Sequence, residues 1–276
     1  MALTAVDTNQ ELNKHMAELF DDQSWVDNFG YHIHHGFYDI DANANRDQKT
    51  AQIRMINEAL LFANVSEDSV KKPKSIVDVG CGVGGPAVYL GRKYGAKCKG
   101  IDISPRSIQK ATEISNAQGL GQEVTFQVGD ALQLAFPDGQ FDLVWSMECG
   151  ECVSDKAKFV SELVRVVSPG GTIIFLSSCH RDLAPNEESL KPEEKELFEK
   201  ISESLFLPAW ISCADFVDLF KSHSMKDIKS ANWSEHIAPF WDGWKPENGT
   251  MDMEKFIEGH RNGLIKFSII TCKKPE

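Results

Sequence analysis

Between residues 75 and 180 the chain alternates short apolar runs with stretches of helical period. Ile76, Val77 and Val79 form a β-branched run suited to a central parallel strand covered on both faces. Runs at 97–103, 124–131, 141–146 and 172–178 predict four more strands. Pro169-Gly170-Gly171 reads as the turn into the last of these. The helices between them are predicted at Pro86–Lys93, from Pro105 to Gly119 with Ile108, Ala111, Thr112 and Ser115 facing inward, and at Asp155–Val167. Strands at Asp227–Trp233 and Leu264–Lys273 bring the total to seven. The pattern predicts an α/β, Rossmann-like doubly wound sheet, with the final strand antiparallel and inserted.

The flanks follow other periods. Leu12, Met16, Leu19 and Phe20 predict an amphipathic helix over 8–25, and a wide apolar face predicts another at Asn43–Ala63. Ser66 to Lys74 is a polar linker. The chain is expected to form one domain over 1–276: a helical cap (1–70), a cofactor-binding core (71–180) and an acceptor side with the last two strands (181–276). Phe206, Trp210 and Phe216 are assigned either to the core or to the acceptor pocket. Phe240 to Pro246 reads as an aromatic loop before a short helix near Met253–Gly259.

Chemistry enters at the strand ends. Gly80, Gly82, Gly84 and Gly85 follow the first strand at once, letting the backbone turn tightly and meet a ligand at a helix N-terminus. Asp102 ends the second strand about 20 residues on, where a carboxylate can take ribose hydroxyls. Asp130 ends the third. A net charge of −12 disfavours a general nucleic-acid binder. No run approaches a membrane span, so stable membrane insertion is not expected. Cys149 and Cys152, among seven cysteines, form one C-x-x-C pair; without a second ligand pair no metal site is expected. No signal peptide is visible, nor the character of a plastid transit peptide. The expected setting is the cytoplasm, with the plastid open if a transit peptide has been removed.

Asp-Val-Gly-Cys-Gly-Val-Gly at 78–84, Asp102, Gly-Asp-Ala at 129–131 and Phe-Asp-Leu-Val at 141–144 resemble the class I S-adenosylmethionine-dependent methyltransferases. The stretch His32-Ile-His34-His35-Gly-Phe-Tyr-Asp39 narrows this. With Cys-His-Arg-Asp-Leu at 179–183 and Trp-Ser-Glu-His-Ile-Ala-Pro-Phe-Trp at 233–241, it resembles the plant γ-tocopherol C-methyltransferase family, which includes indole alkaloid N-methyltransferases. The resemblance covers nearly the whole chain.

It implies S-adenosyl-L-methionine as cofactor, with the Gly80–Gly84 turn near its amino acid part, Asp102 on the ribose, and Asp130 with Ala131 bordering the adenine. Asp78, Gly80, Gly82, Ile103 and Ser146 complete the candidate cofactor set. The aromatic, histidine-dense cap is either packed structure or a lid with an imidazole near the acceptor. His34, His35, Glu148 and Glu151 are the candidate catalytic residues. Cys152 stands where the resembling family usually has His. The implied partner is a bulky, largely apolar small molecule, with a homodimer left open. The reading leans to N-methylation of a plant alkaloid amine, on the missing transit peptide, the short polar segment at 242–252 and the acids at the pocket mouth. C-methylation of a tocopherol-like phenol is the alternative, and a non-methylating cyclase or binding protein a second one.

Overall fold

A computed structural model of the chain describes residues 5–21, 23–40, 47–243 and 253–276. The strands are β1 (Ser75–Val79), β2 (Lys97–Asp102), β3 (Val124–Val128), β4 (Phe141–Met147), β5 (Val167–His180), β6 (Lys226–Asn232) and β7 (Ile265–Lys273). They form one sheet in the order β3-β2-β1-β4-β5-β7-β6. The five strands from β3 to β5 pair in parallel, and β7 runs antiparallel between β5 and β6, as the sequence predicts. The order reverses at β1, so the ends of β1 and β4 open a crevice at the topological switch point.

Helices cover both faces. α3 (Gln48–Phe62), α4 (Gly85–Tyr94), α9 (Ser234–Gly243) and α10 (Glu254–Arg261) share one apolar core, which includes Ile56, Leu90, Trp145 and Phe267. α6 (Lys156–Val166) and α8 (Cys213–Ser222) close the other around Phe159, Phe175 and Phe216. Val77, Val144 and Ile173 are fully buried in the central strands, which is why those runs are continuously apolar. α5 (Pro105–Ala117) is capped by Ser104, whose side chain accepts from the Ser107 N–H. α7 (Pro192–Leu205) buries Phe198, Ile201 and Leu205 in the first of these cores.

Several expectations need correction. The helix expected over 8–25 is two, α1 (Ala5–Phe20) and α2 (Gln23–Phe29), parted at Asp21, a residue type that favours turns over helix interiors. Of the helix expected from Asn43, residues 43–46 lie outside the described set; α3 starts behind the Asp47 cap. The third strand stops at Val128, leaving Asp130 and Ala131 in a loop. Thr112 faces solvent and returns its hydroxyl to the Ile108 carbonyl. Pro169-Gly170-Gly171 is no turn before a strand but an irregularity within β5, whose ladder jumps from Val167 to Thr172. Phe240 and Trp241 belong to helix α9; Trp233, Ile237, Phe240 and Trp241 fall at helical spacing. Residues 244–246 of the expected loop lie outside the described set. Phe216 is core, while Phe206 is 53% exposed.

Candidate active site

The crevice is built on the turn after β1. Gly80 and Cys81 donate backbone N–H groups to the Ile101 carbonyl at 2.8 and 2.9 Å, tying the turn to β2. Gly80 has φ +77°, and a Cβ there would sit 2.5 Å from the Cys149 Cβ, so glycine is required on two counts. Gly82 has φ +50°, and a Cβ there would meet nothing within 4 Å, so its bare backbone faces open space. Asp102 braces this arrangement: Oδ2 accepts from the Gly82 N–H at 2.8 Å and Oδ1 from the Ser104 N–H at 2.9 Å. Burial raises its carboxyl.

The crevice runs from the turn after β1 to the loops that follow β2, β3 and β4. Its wall holds Asp78, Gly80, Gly82, Asp102, Ile103, Asp130 and Ala131, seven of the eight candidate cofactor residues. The eighth, Ser146, is fully buried and gives its hydroxyl to the Val79 carbonyl at 2.9 Å, so it ties β4 to β1 instead of facing the crevice. Asp78 Oδ2 is buried with no partner; burial, then the Asp102 charge, pushes its carboxyl up to about 8.

The roof was missed by sequence reasoning. α1 lays Asn13, Met16 and Phe20 over the crevice. Asn13 donates to Asp130 Oδ2 at 2.8 Å and Asn9 to the same atom at 3.3 Å, while Leu132 N–H holds Oδ1 at 2.8 Å. An amphipathic stripe was all the sequence showed there, and such a stripe reads equally well as core.

A second cavity adjoins the first; Met16, Phe20, Ile33, His34, Glu148 and Cys152 line both. Its other walls are mostly aromatic or aliphatic: Trp25, Phe29, Leu205, Leu207, Phe240, Trp241, Met253 and Phe256. The strap 30–38 enters it from the cap, held by Gln52 against the His32 and His34 carbonyls and by the Phe37 N–H on Ala51.

His35 and Glu148 meet here across 113 residues. The His35 backbone N–H donates to Glu148 Oε1 at 2.8 Å, and ring Nδ1 lies 2.9 Å from Oε2. A carboxylate beside Nδ1 places the ring proton on Nδ1 and leaves Nε2 as a lone-pair acceptor. That Nε2 is buried with no partner, and His35 lines the aromatic cavity. The rings of Trp241, Phe240 and Phe267 surround it at 4.8, 5.0 and 5.5 Å. Burial raises the Glu148 carboxyl, but its interactions with the His35 ring and backbone N–H outweigh it and hold it below its usual range. Glu148 has φ +56°, a left-handed conformation that costs a non-glycine residue about 1–2 kcal/mol and aims the carboxylate at the strap.

The other candidates take other roles in the geometry. His34 Nδ1 sits 2.7 Å from the His35 carbonyl, so that nitrogen carries its proton, and burial lowers its basicity. Glu151 lines the aromatic cavity, accepts from Ser177 Oγ at 2.7 Å, and is pushed up to about 7 by burial and then by Glu148. Cys149 and Cys152 are free thiols, and burial raises both. No group of three or more potential metal ligands occurs among the described residues.

Residues 77–175 match the family model described as a methyltransferase domain. The chain is 50% identical to a probable chloroplastic tocopherol O-methyltransferase of Oryza sativa subsp. japonica, over 96% of this chain and 79% of that protein. It is 42% identical to norajmaline N-methyltransferase of Rauvolfia serpentina, over 91% and 93%. The fold superposes on geranyl diphosphate C-methyltransferase of Streptomyces coelicolor A3(2) with a TM-score of 0.76, at 16% identity over 95% and 97%. The chain belongs to the tocopherol methyltransferase-like family of class I methyltransferases. It is an S-adenosylmethionine-dependent methyltransferase.

The crevice fits that cofactor. Asp102 keeps one lone pair on each oxygen beyond its two backbone bonds, as two ribose hydroxyls require. The partnerless Asp78 oxygen suits the cationic methionine end, and Gly82 leaves room for close approach.

Proposed function

We propose that this enzyme methylates a bulky, largely apolar small molecule, with an alkaloid amine nitrogen as the preferred nucleophile. One observation carries the reading: the partnerless His35 Nε2, set up by Glu148, inside an aromatic cavity that shares a wall with the cofactor crevice. The cofactor, when bound, supplies a methyl already activated by its sulfonium. The chain's own residues must then align a nucleophile, remove its proton and exclude water. Alignment is worth on the order of 7–11 kcal/mol in well-oriented systems. Asp102, Asp78 and the glycine turn would hold the donor. The aromatic walls and α1 would exclude water and orient the acceptor. His35 Nε2 would take the proton from the nucleophile, with Glu148 stabilising the resulting imidazolium.

The Rauvolfia relative, named an N-methyltransferase, supports the amine. The rice relative supports a second reading, methyl transfer to a tocopherol-like phenol, and its chloroplastic setting goes with that alternative. With the amine reading we place the enzyme in the cytoplasm. No helix among the described residues is long and apolar enough to cross a membrane.

The test is purified protein with methyl-labelled cofactor against parallel panels of alkaloid amines and prenylated phenols, read by product mass. Label on amine nitrogen, with a gain of one methylene, is the expected result. Label on phenols alone would overturn the amine assignment.

A further inference from the structure

The acceptor cavity holds one acid more than the proton transfer uses. Both oxygens of Glu148 are committed to His35. Glu151 lies on the same wall, on the 3-10 turn Gly150–Cys152 that follows. Its Oε2 accepts from Ser177 Oγ at 2.7 Å, and Oε1 makes only a long 3.5 Å contact with the Ser178 N–H. The cation beside it, Lys156, does not pair with that carboxylate. Lys156 Nζ donates to the backbone carbonyls of Glu151 and Val153 at 3.0 and 2.7 Å, clasping the turn. Among the described residues lining the cavity there is no lysine or arginine. A carboxylate held in a largely apolar cavity without a direct ion pair is costly, and a bound cation reduces that cost.

Two further observations point the same way. His35, 8% exposed, lines the same cavity, and its Nε2 is buried there with no partner. Trp25, Phe29, Phe240 and Trp241 supply aromatic rings around it, surfaces that attract a positive nitrogen and repel an anionic oxygen or phosphate.

We propose that Glu151 is the counter-ion of the acceptor, which binds as an ammonium ion before it is deprotonated. This rests on the N-methylation reading and deepens it. The ammonium N–H proton passes to His35 Nε2, while the Nδ1 proton stays on the ring, held by Glu148. The freed nitrogen lone pair forms the C–N bond as the bond from methyl to sulfur breaks, with that electron pair remaining on sulfur. One positive charge moves to the imidazole and one to the methylated nitrogen, so the total charge in the site is unchanged. Glu151 therefore faces a cation before and after transfer, and a quaternary ammonium resembles the methylated product.

The probe is benzyltrimethylammonium beside its neutral carbon isostere, neopentylbenzene. Both are titrated by calorimetry at pH 8.5 into protein saturated with S-adenosylhomocysteine. The cation is expected to bind the intact protein at least tenfold tighter than the isostere. Glu151→Gln is expected to lose about tenfold for the cation and less than threefold for the isostere, and Glu151→Asp to keep the preference. Melting temperature and S-adenosylhomocysteine affinity check that each variant is folded. If Glu151→Gln does not fold, the cation-to-isostere ratio in the intact protein and in Glu151→Asp decides. Equal binding of the two probes overturns the counter-ion and leaves N-methylation standing. A cation preference with methyl transfer to phenols alone overturns both.

Discussion

Replacing Glu148 by Gln isolates the proton transfer from everything else in the site. The two bonds from Glu148 to His35 fix how a Gln must sit. The backbone N–H at 2.8 Å can only donate, so it claims the amide oxygen. The amide NH₂ then faces ring Nδ1, at the 2.9 Å position that Oε2 occupied. Two donors cannot meet there, so the imidazole moves its proton to Nε2 and the cavity loses its acceptor. Losing a general base costs about 10²–10⁴ in rate, or about 3–5 kcal/mol of barrier. For an amine with pKa ~10.4, roughly 1 molecule in 2,500 is neutral at pH 7 and roughly 1 in 25 at pH 9. The deficit of Glu148→Gln in kcat/KM is therefore expected to be about 10³-fold at pH 7 and to shrink towards tenfold by pH 9. Initial rates of label transfer across that range provide the assay, with S-adenosylhomocysteine affinity as the control for fold. A variant keeping more than a third of wild-type activity at pH 7, or a deficit that does not change with pH, refutes the reasoning.

Two further outcomes test the crevice. Gly80→Ala places a Cβ 2.5 Å from that of Cys149 at φ +77°, so a loss of about 2–4 kcal/mol is expected in urea unfolding; a loss under ~0.5 kcal/mol would contradict the packing. Asp78 has a folded-state pKa of about 8 against the usual 3.8, so the folded protein holds its proton more tightly than the unfolded chain does. Its contribution is fully present below about pH 4 and lost as pH rises through about 8. Asp78→Asn should flatten that loss and stabilise the ligand-free protein at pH 8 while weakening cofactor binding; thermal melts across pH and calorimetry read the two effects.

The sheet was legible because its central strands are buried on both faces, which forces continuous apolar runs such as Ile76–Val77 and Leu143–Trp145. The place of Asp102 and Asp130 at the crevice rim was legible because Asp102 ends β2 and Asp130 follows β3 closely. The choice between His34 and His35 was not legible. The two are adjacent in an irregular strap, and only the contact with Glu148, 113 residues away, separates a partnerless Nε2 from a ring tied to the next residue's carbonyl. Ser146 read as a site residue because it sits near the end of β4, but its hydroxyl points at β1. The roof formed by α1 was hidden for a related reason: apolar spacing reports that a face is covered without reporting what covers it.

The two cavities share Met16, Phe20, Ile33, His34, Glu148 and Cys152 but differ in what the chain after residue 200 adds. The donor crevice is built from α1, the strap and residues 78–153, whereas Leu205, Leu207, Phe240, Trp241, Met253 and Phe256 of the acceptor wall all come after residue 200. Drift in the last third of the sequence can therefore reshape the acceptor while the donor machinery stays as it is. Exchanging residues 200–261 between relatives would show whether acceptor choice travels with that segment.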